Sequence, residues 1–191
     1  MIQTTEKRTG ARTEHRFGPR QKVFLDALFE KTKRDVAFEE TDYHRSLLCL
    51  EENIGFLKAE HRDRVAQAVE KVLARYRGKR VLWGVCHRGF TPWNTCVADG
   101  RLFAFDFAYA LRYAPPEMDR WHFFVQTLRY EKKRSGEEIA AAFCREFPGR
   151  EDSFRQYLLD NISLYLLRGS REDRETADRQ AHLLACVDAG C

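Results

Sequence analysis

The residues best suited to chemistry lie in one short run, Val85 to Asn94 with the sequence VCHRGFTPWN, and in Asp106 beyond it. A His, a Gly-Phe-Thr-Pro-Trp turn and an Asn between apolar runs have the character of a loop that handles phosphate. Phosphoryl transfer asks little covalent chemistry of a protein. It needs metal ions held against the phosphates, a group that orients the attacking hydroxyl, and a cover over the nucleotide. Asn94 and Asp106 offer oxygen atoms of the kind a hard divalent cation takes. Between them stands Asp99-Gly100, the dipeptide that suits a tight hairpin turn, so TCVADGRLFAFDF is expected to form two strands that carry Asp106 back beside Asn94. Each residue also has a local explanation, because Asn and Asp favour strand ends and turns.

His87-Arg88-Gly89-Phe90-Thr91-Pro92-Trp93-Asn94 has the spacing of the kinase loop H-R-D-x-x-x-x-N, and Asp106-Phe107-Ala108 stands where D-F-G follows. At these residues the chain resembles the aminoglycoside phosphotransferase and choline kinase-like family, a small-molecule branch of the protein-kinase-like fold. The loop is similar to that family's HGDFTPWN, and FAFDFAYALRYAPPEMDRWHFF is similar to its downstream iDFe…ppxxDlxxf. The resemblance runs from the helices near Gln21 onward and implies the C-terminal lobe of such a fold. It implies that His87 is the structural histidine of the loop and that Asn94 and Asp106 bind magnesium and the phosphates of ATP. It also implies that Asp119, just after Pro115-Pro116, braces the loop; capping its own helix explains that residue equally well. The implied activity is ATP- and magnesium-dependent transfer of phosphate to a hydroxyl of a metabolite or sugar.

Two departures qualify that expectation. Gly89 stands at the position of the family's catalytic Asp, and glycine can neither accept a proton nor orient a hydroxyl; losing a general base costs on the order of a hundred- to ten-thousandfold in rate. Nothing upstream resembles a glycine-rich loop or a V-A-I-K strand, and fewer than twenty residues ahead of the first helix cannot hold a five-stranded nucleotide lobe. The chain is therefore expected to be an impaired, truncated phosphotransferase. The alternative is a non-catalytic, pseudokinase-like binding or scaffold module. In either case apolar surface left by the absent lobe would be covered by a second copy or a partner chain. Asp152 and Asp160, on one late helix, are candidates to receive a cationic acceptor.

The elements that must position these residues follow from pattern and composition. At 191 residues, 43% hydrophobic and 13% aromatic, the chain can build one core, which excludes a disordered polymer. A net charge of only +4 gives no argument for a nucleic-acid partner. No apolar run reaches the length of a signal peptide or a membrane span, so a cytoplasmic location is expected. The six cysteines show no CxxC pair, so neither a zinc site nor a disulfide framework is indicated and reduced thiols are expected. Residues 1–19 suggest a mobile basic arm and 20–191 the phosphotransferase-like lobe. Within the lobe, Val65, Ala68, Val69, Val72, Leu73 and Tyr76 form an amphipathic stripe that stops near Gly78. RVLWGV is a short strand, and four later segments return to helical periodicity, one opening on Ser135 with Glu138 at capping-box distance. The fold class is α+β, mostly helical, with a small β-hairpin.

Overall fold

Helix starts and stops follow local chemistry. In the computed structural model, which describes residues 13–191, α1 (Pro19–Thr32) begins with a proline, and the Gln21 side chain accepts from the Gly18 N–H at 3.0 Å. Thr41 caps α2 (Asp42–Asn53) by accepting from the His44 N–H at 3.1 Å. α3 (Ala59–Tyr76) buries Val65, Val69, Val72 and Leu73 and ends before Gly78, whose φ of +69° suits glycine. α4 (Met118–Gln126) runs on into a π turn over Thr127–Glu131, so the segment expected as one regular helix changes its winding midway. α5 (Gly136–Glu146) closes the expected capping box between Ser135 and Glu138. α6 (Glu151–Arg168) stops at Gly169, and α7 (Arg171–Gly190) is capped by Ser170.

The core centres on α6, which is buried over most of its circumference and packs against α2, α3, α4 and α7. Trp121 of α4 is fully buried, edge-on to Phe143, Phe147 and Phe154, and its indole N–H donates to Ser153 Oγ at 3.0 Å.

Among the described residues, two antiparallel sheets flank this helical body. β2 (Arg80–Cys86) is the centre of a three-stranded sheet with β1 (Arg34–Ala37) and β5 (Leu111–Ala114), and its pairing with β5 slips between Gly84 and Cys86. β1 and β5 are not evident in the sequence, because four residues are too few to show a period and, unlike β3 and β4, they are not joined by a tight-turn dipeptide. β3 (Thr95–Ala98) and β4 (Arg101–Ala104) form the expected hairpin, with Ala98 opposite Arg101. Asp99 and Gly100, at φ +51° and +73°, supply the two left-handed positions of such a two-residue turn.

The cysteines depart from expectation. Cys144 on α5 and Cys191 at the end of α7 form a disulfide, while Cys49, Cys86, Cys96 and Cys186 are free. The partners stand 47 residues apart and meet only because α5 lies along α7, so no local spacing announces them. The basic arm expected over residues 1–19 falls outside the described residues up to position 12; from 13 to 18 the chain has no regular structure, and Phe17 packs edge-on to Phe123 at 5.6 Å. Among the described residues, no helix is long and apolar enough to cross a membrane.

His122 of α4 lies buried with the Tyr157 hydroxyl 3.4 Å from Nδ1. Burial first, and then the neighbouring His87 ring and Arg88 guanidinium, push its pKa from 6.5 to about 3. Between those values the unfolded chain binds a proton that the native state refuses. Stability is therefore full above about pH 6.5 and falls as pH drops toward 3. His122→Phe, which cannot titrate, is expected to flatten this acid limb in urea-unfolding midpoints taken between about pH 7 and pH 4; an unchanged slope would contradict the assignment.

Candidate functional site

β2 ends at Cys86 and delivers the chain into the loop 87–94. The first turn of that loop is held by one carboxylate: Asp119 Oδ2 accepts from the His87 N–H at 2.7 Å, and Oδ1 from the Arg88 N–H at 2.8 Å. Asp119 lies in the first turn of α4, yet its oxygens serve the loop rather than the N–H groups of its own helix, where Glu117 occupies the cap position. Burial raises the pKa of Asp119, and the two backbone N–H groups pull it the other way. Cys86 Sγ lies 3.4 Å from Asp119 Oδ1, and burial lifts its thiol pKa well above the ordinary value.

Arg88 takes a left-handed backbone, φ +63°, which costs a non-glycine residue about 1–3 kcal/mol and persists only where its surroundings over-determine it. A second carboxylate does so. Arg88 Nε donates to Asp160 Oδ2 and Nη2 to Oδ1, both at 2.9 Å, and Nη2 also reaches Ser46 Oγ at 3.1 Å. Asp160 is wholly buried on α6 and the Arg88 side chain is 9% exposed, so this bidentate pair is shielded from solvent.

The His87 ring ties the loop to the hairpin. Its Nε2 is 3.0 Å from the Phe105 carbonyl and its Nδ1 is 3.2 Å from the Gly89 N–H. A carbonyl only accepts and an amide N–H only donates, so the proton belongs on Nε2. Phe107 packs on the same ring at 4.1 Å.

Thr91 caps the single turn Pro92–Asn94, accepting from the Asn94 N–H at 3.2 Å. The Asn94 side-chain NH2 donates to the Gly89 carbonyl at 2.9 Å, which leaves its amide oxygen as the atom available to a cation. The Phe105 N–H donates to the Asn94 carbonyl at 3.1 Å, extending the register in which Thr95 faces Ala104. Asp106 is thus the next residue beyond the partner of Asn94. It is exposed, with a left-handed φ of +68°, and this turn ends the strand at Ala104, short of the Asp106 expected to end it. At Gly89 a Cβ would stand 3.5 Å from Asn94 Nδ2 and from His87 Nδ1, an ordinary contact.

Other expectations separate. Asp152 and Asp160 form no common acceptor site, because Asp152 is exposed and engaged by Arg75 and Arg155, whereas Asp160 is buried on Arg88. Eight positions of helix place them on different surroundings despite the shared element. The Arg88–Asp160 pair itself is missed by motif reading; its signal is a carboxylate standing in the apolar run YLLDNISLYLL. A cavity of about 600 Å³ between α1 and the 114–120 segment reaches Val85 and Cys86 at the end of β2 and Asp119 of α4, and includes neither Asn94 nor Asp106. Trp93, Phe105, Phe107 and Tyr109 leave an aromatic surface exposed around the end of the hairpin.

No protein-family model matches the chain, and no curated protein matches it. Among solved structures it is similar to the crystal structure of a thermostable mutant of aminoglycoside phosphotransferase APH(4)-Ia in its apo form, with a TM-score of 0.58 and 17% identity. The match covers 91% of this chain and 65% of that one, so the chain spans just under two thirds of the length of its structural neighbour. At this identity the likeness is one of fold: a mostly helical α+β body like the C-terminal lobe of a kinase-like phosphotransferase.

Removing one partner of the buried pair should be costly. Asp160→Ala leaves the Arg88 guanidinium buried and uncompensated and is expected to lower unfolding free energy by about 3–5 kcal/mol in chemical denaturation. Replacing both partners by apolar residues of similar volume should recover much of that loss. A cost below about 1 kcal/mol for Asp160→Ala would place the pair in effective contact with solvent.

Proposed function

We propose that the chain is the C-terminal lobe of a small-molecule phosphotransferase, acting with ATP and magnesium on a hydroxyl of a metabolite or sugar, with its rate impaired at Gly89. The observation that supports this reading is the backbone bond from Phe105 to Asn94, which pairs the asparagine with the residue just before Asp106. The fold of the structural neighbour supports it. The donor set fits magnesium, a hard cation that takes one or two carboxylate or amide oxygens and completes its shell with water and phosphate. Asn94 and Asp106 would hold the ion, and when bound it would neutralise charge on the transferring phosphate.

The remaining residues have positioning roles. Asp119 holds the entry of the loop, His87 locks the hairpin end to it through the Phe105 carbonyl, and Asn94 pins the Gly89 carbonyl. No carboxylate stands at position 89 to orient an acceptor hydroxyl, which sets the expected rate on the order of a hundred- to ten-thousandfold below that of a complete site. In this reading the cover over the nucleotide is supplied by a further segment or a partner chain.

A second reading, a non-catalytic binding module, draws on Gly89 and on the exposed aromatic surface of Trp93, Phe105, Phe107 and Tyr109. One substitution separates the two. The backbone at 89 is not left-handed and has room for a Cβ, so Gly89→Asp should fold. The expected outcome is magnesium-dependent ATP binding by calorimetry in the parent chain, a gain of ATP hydrolysis or transfer on the order of a hundredfold in Gly89→Asp, and loss of both in Asp106→Ala. Absence of ATP binding in the parent together with an inert Gly89→Asp would overturn the phosphotransferase reading and leave the binding module.

A further inference from the structure

Another set of chemically capable side chains lies where α5 packs along α7, in elements that the loop does not use. Glu137 near the start of α5, and His182 and Cys186 one helical turn apart on α7, each place a ligand atom within 4.8 Å of the others. The common point is His182 Nε2: Glu137 Oε1 lies 2.6 Å from it and Cys186 Sγ 3.6 Å. Two groups that carry negative charge when ionised therefore converge on one ring nitrogen.

The arrangement is supported from behind. The capping box of Ser135 and Glu138 fixes the start of α5, and with it Glu137. Gly136 makes room for the ring: a Cβ there would stand 3.0 Å from His182 Cδ2, close enough to displace it. The Cys144–Cys191 bond joins the same two helices further along, so the three side chains sit on elements already held together.

The donor chemistry is selective. Magnesium and calcium take oxygen, whereas a thiolate, an imidazole and a carboxylate form a set suited to zinc and its first-row neighbours. With Zn–N near 2.05 Å and Zn–S near 2.3 Å at a tetrahedral angle, the two ligand atoms stand about 3.6 Å apart, which is the separation of Cys186 Sγ and His182 Nε2. Glu137 is closer, at hydrogen-bonding distance, and would withdraw by about 0.7 Å to become a ligand. Glu137 and His182 are exposed, so water can complete the shell.

We infer that Glu137, His182 and Cys186 form a binding site for a zinc-class divalent ion that clamps the start of α5 to α7. On binding, the ion takes the place of the proton between His182 and Glu137; that proton passes through solvent to Nδ1, and the Cys186 thiol proton is released to solvent. The absence of a CxxC spacing is no obstacle, since the ligands come from two helices.

The test uses the full chain, stripped of metal with the Cys144–Cys191 bond intact, titrated with cobalt(II) as the probe. One equivalent should produce a thiolate-to-cobalt charge-transfer band and the intense visible bands of a tetrahedral ion, both discharged by zinc, and saturating zinc should raise the thermal midpoint. Cys186→Ser should abolish the charge-transfer band. His182→Ala and Gly136→Ala should each weaken cobalt affinity on the order of tenfold or more, with folding checked by circular dichroism. A charge-transfer band of equal strength in Cys186→Ser would assign the ion to Cys49, Cys86 or Cys96 and overturn the inference. So would the absence of any band, which would leave only a surface His–Glu pair.

Discussion

The structure turns on a single backbone residue held in an unfavourable conformation by two buried carboxylates. Arg88 is left-handed, and Asp119 takes the N–H groups on its entry side while Asp160 takes its guanidinium. A lone left-handed arginine would relax at a gain of a kilocalorie or more. It does not relax here, because doing so would strand two charges in the interior. The pair of carboxylates comes from different helices, α4 and α6, so the turn also registers those helices against the end of β2.

From that turn the rest of the candidate site is laid out by short-range bonds. His87, fixed by Asp119, hands a proton donor to the Phe105 carbonyl and so sets the hairpin against the loop. The hairpin register then sets Phe105 opposite Asn94, with Asp106 the next residue along the chain. Each link is a main-chain or buried contact, which makes the layout independent of whether position 89 carries a side chain. The geometry of the loop and the chemical groups it presents therefore reside in different residues.

The α5–α7 pair follows a different logic. The same packing that buries Ile139, Phe143, Leu183 and Leu184 also sets Cys144 against Cys191 and gathers Glu137, His182 and Cys186. Covalent and coordinating groups are therefore by-products of one apolar interface, and they act on it at separate points along the helices.

What the sequence determined by itself was local: the helical stripes, the Ser135 capping box, the Asp99-Gly100 turn and hence a mostly helical α+β chain with a hairpin. These depend on residues within a few positions of one another, and the physics of a turn or an amphipathic face is readable at that range. The tertiary structure alone decided the sheet of β1, β2 and β5, the disulfide, the separation of Asp152 from Asp160 and the burial of Asp160 on Arg88. Arg88 and Asp160 are 72 residues apart, and the four-residue strands β1 and β5 have neither a period to display nor a tight turn to announce them. Such contacts arise only when distant helices choose their partners, a choice made by the whole apolar surface and recorded in no single motif.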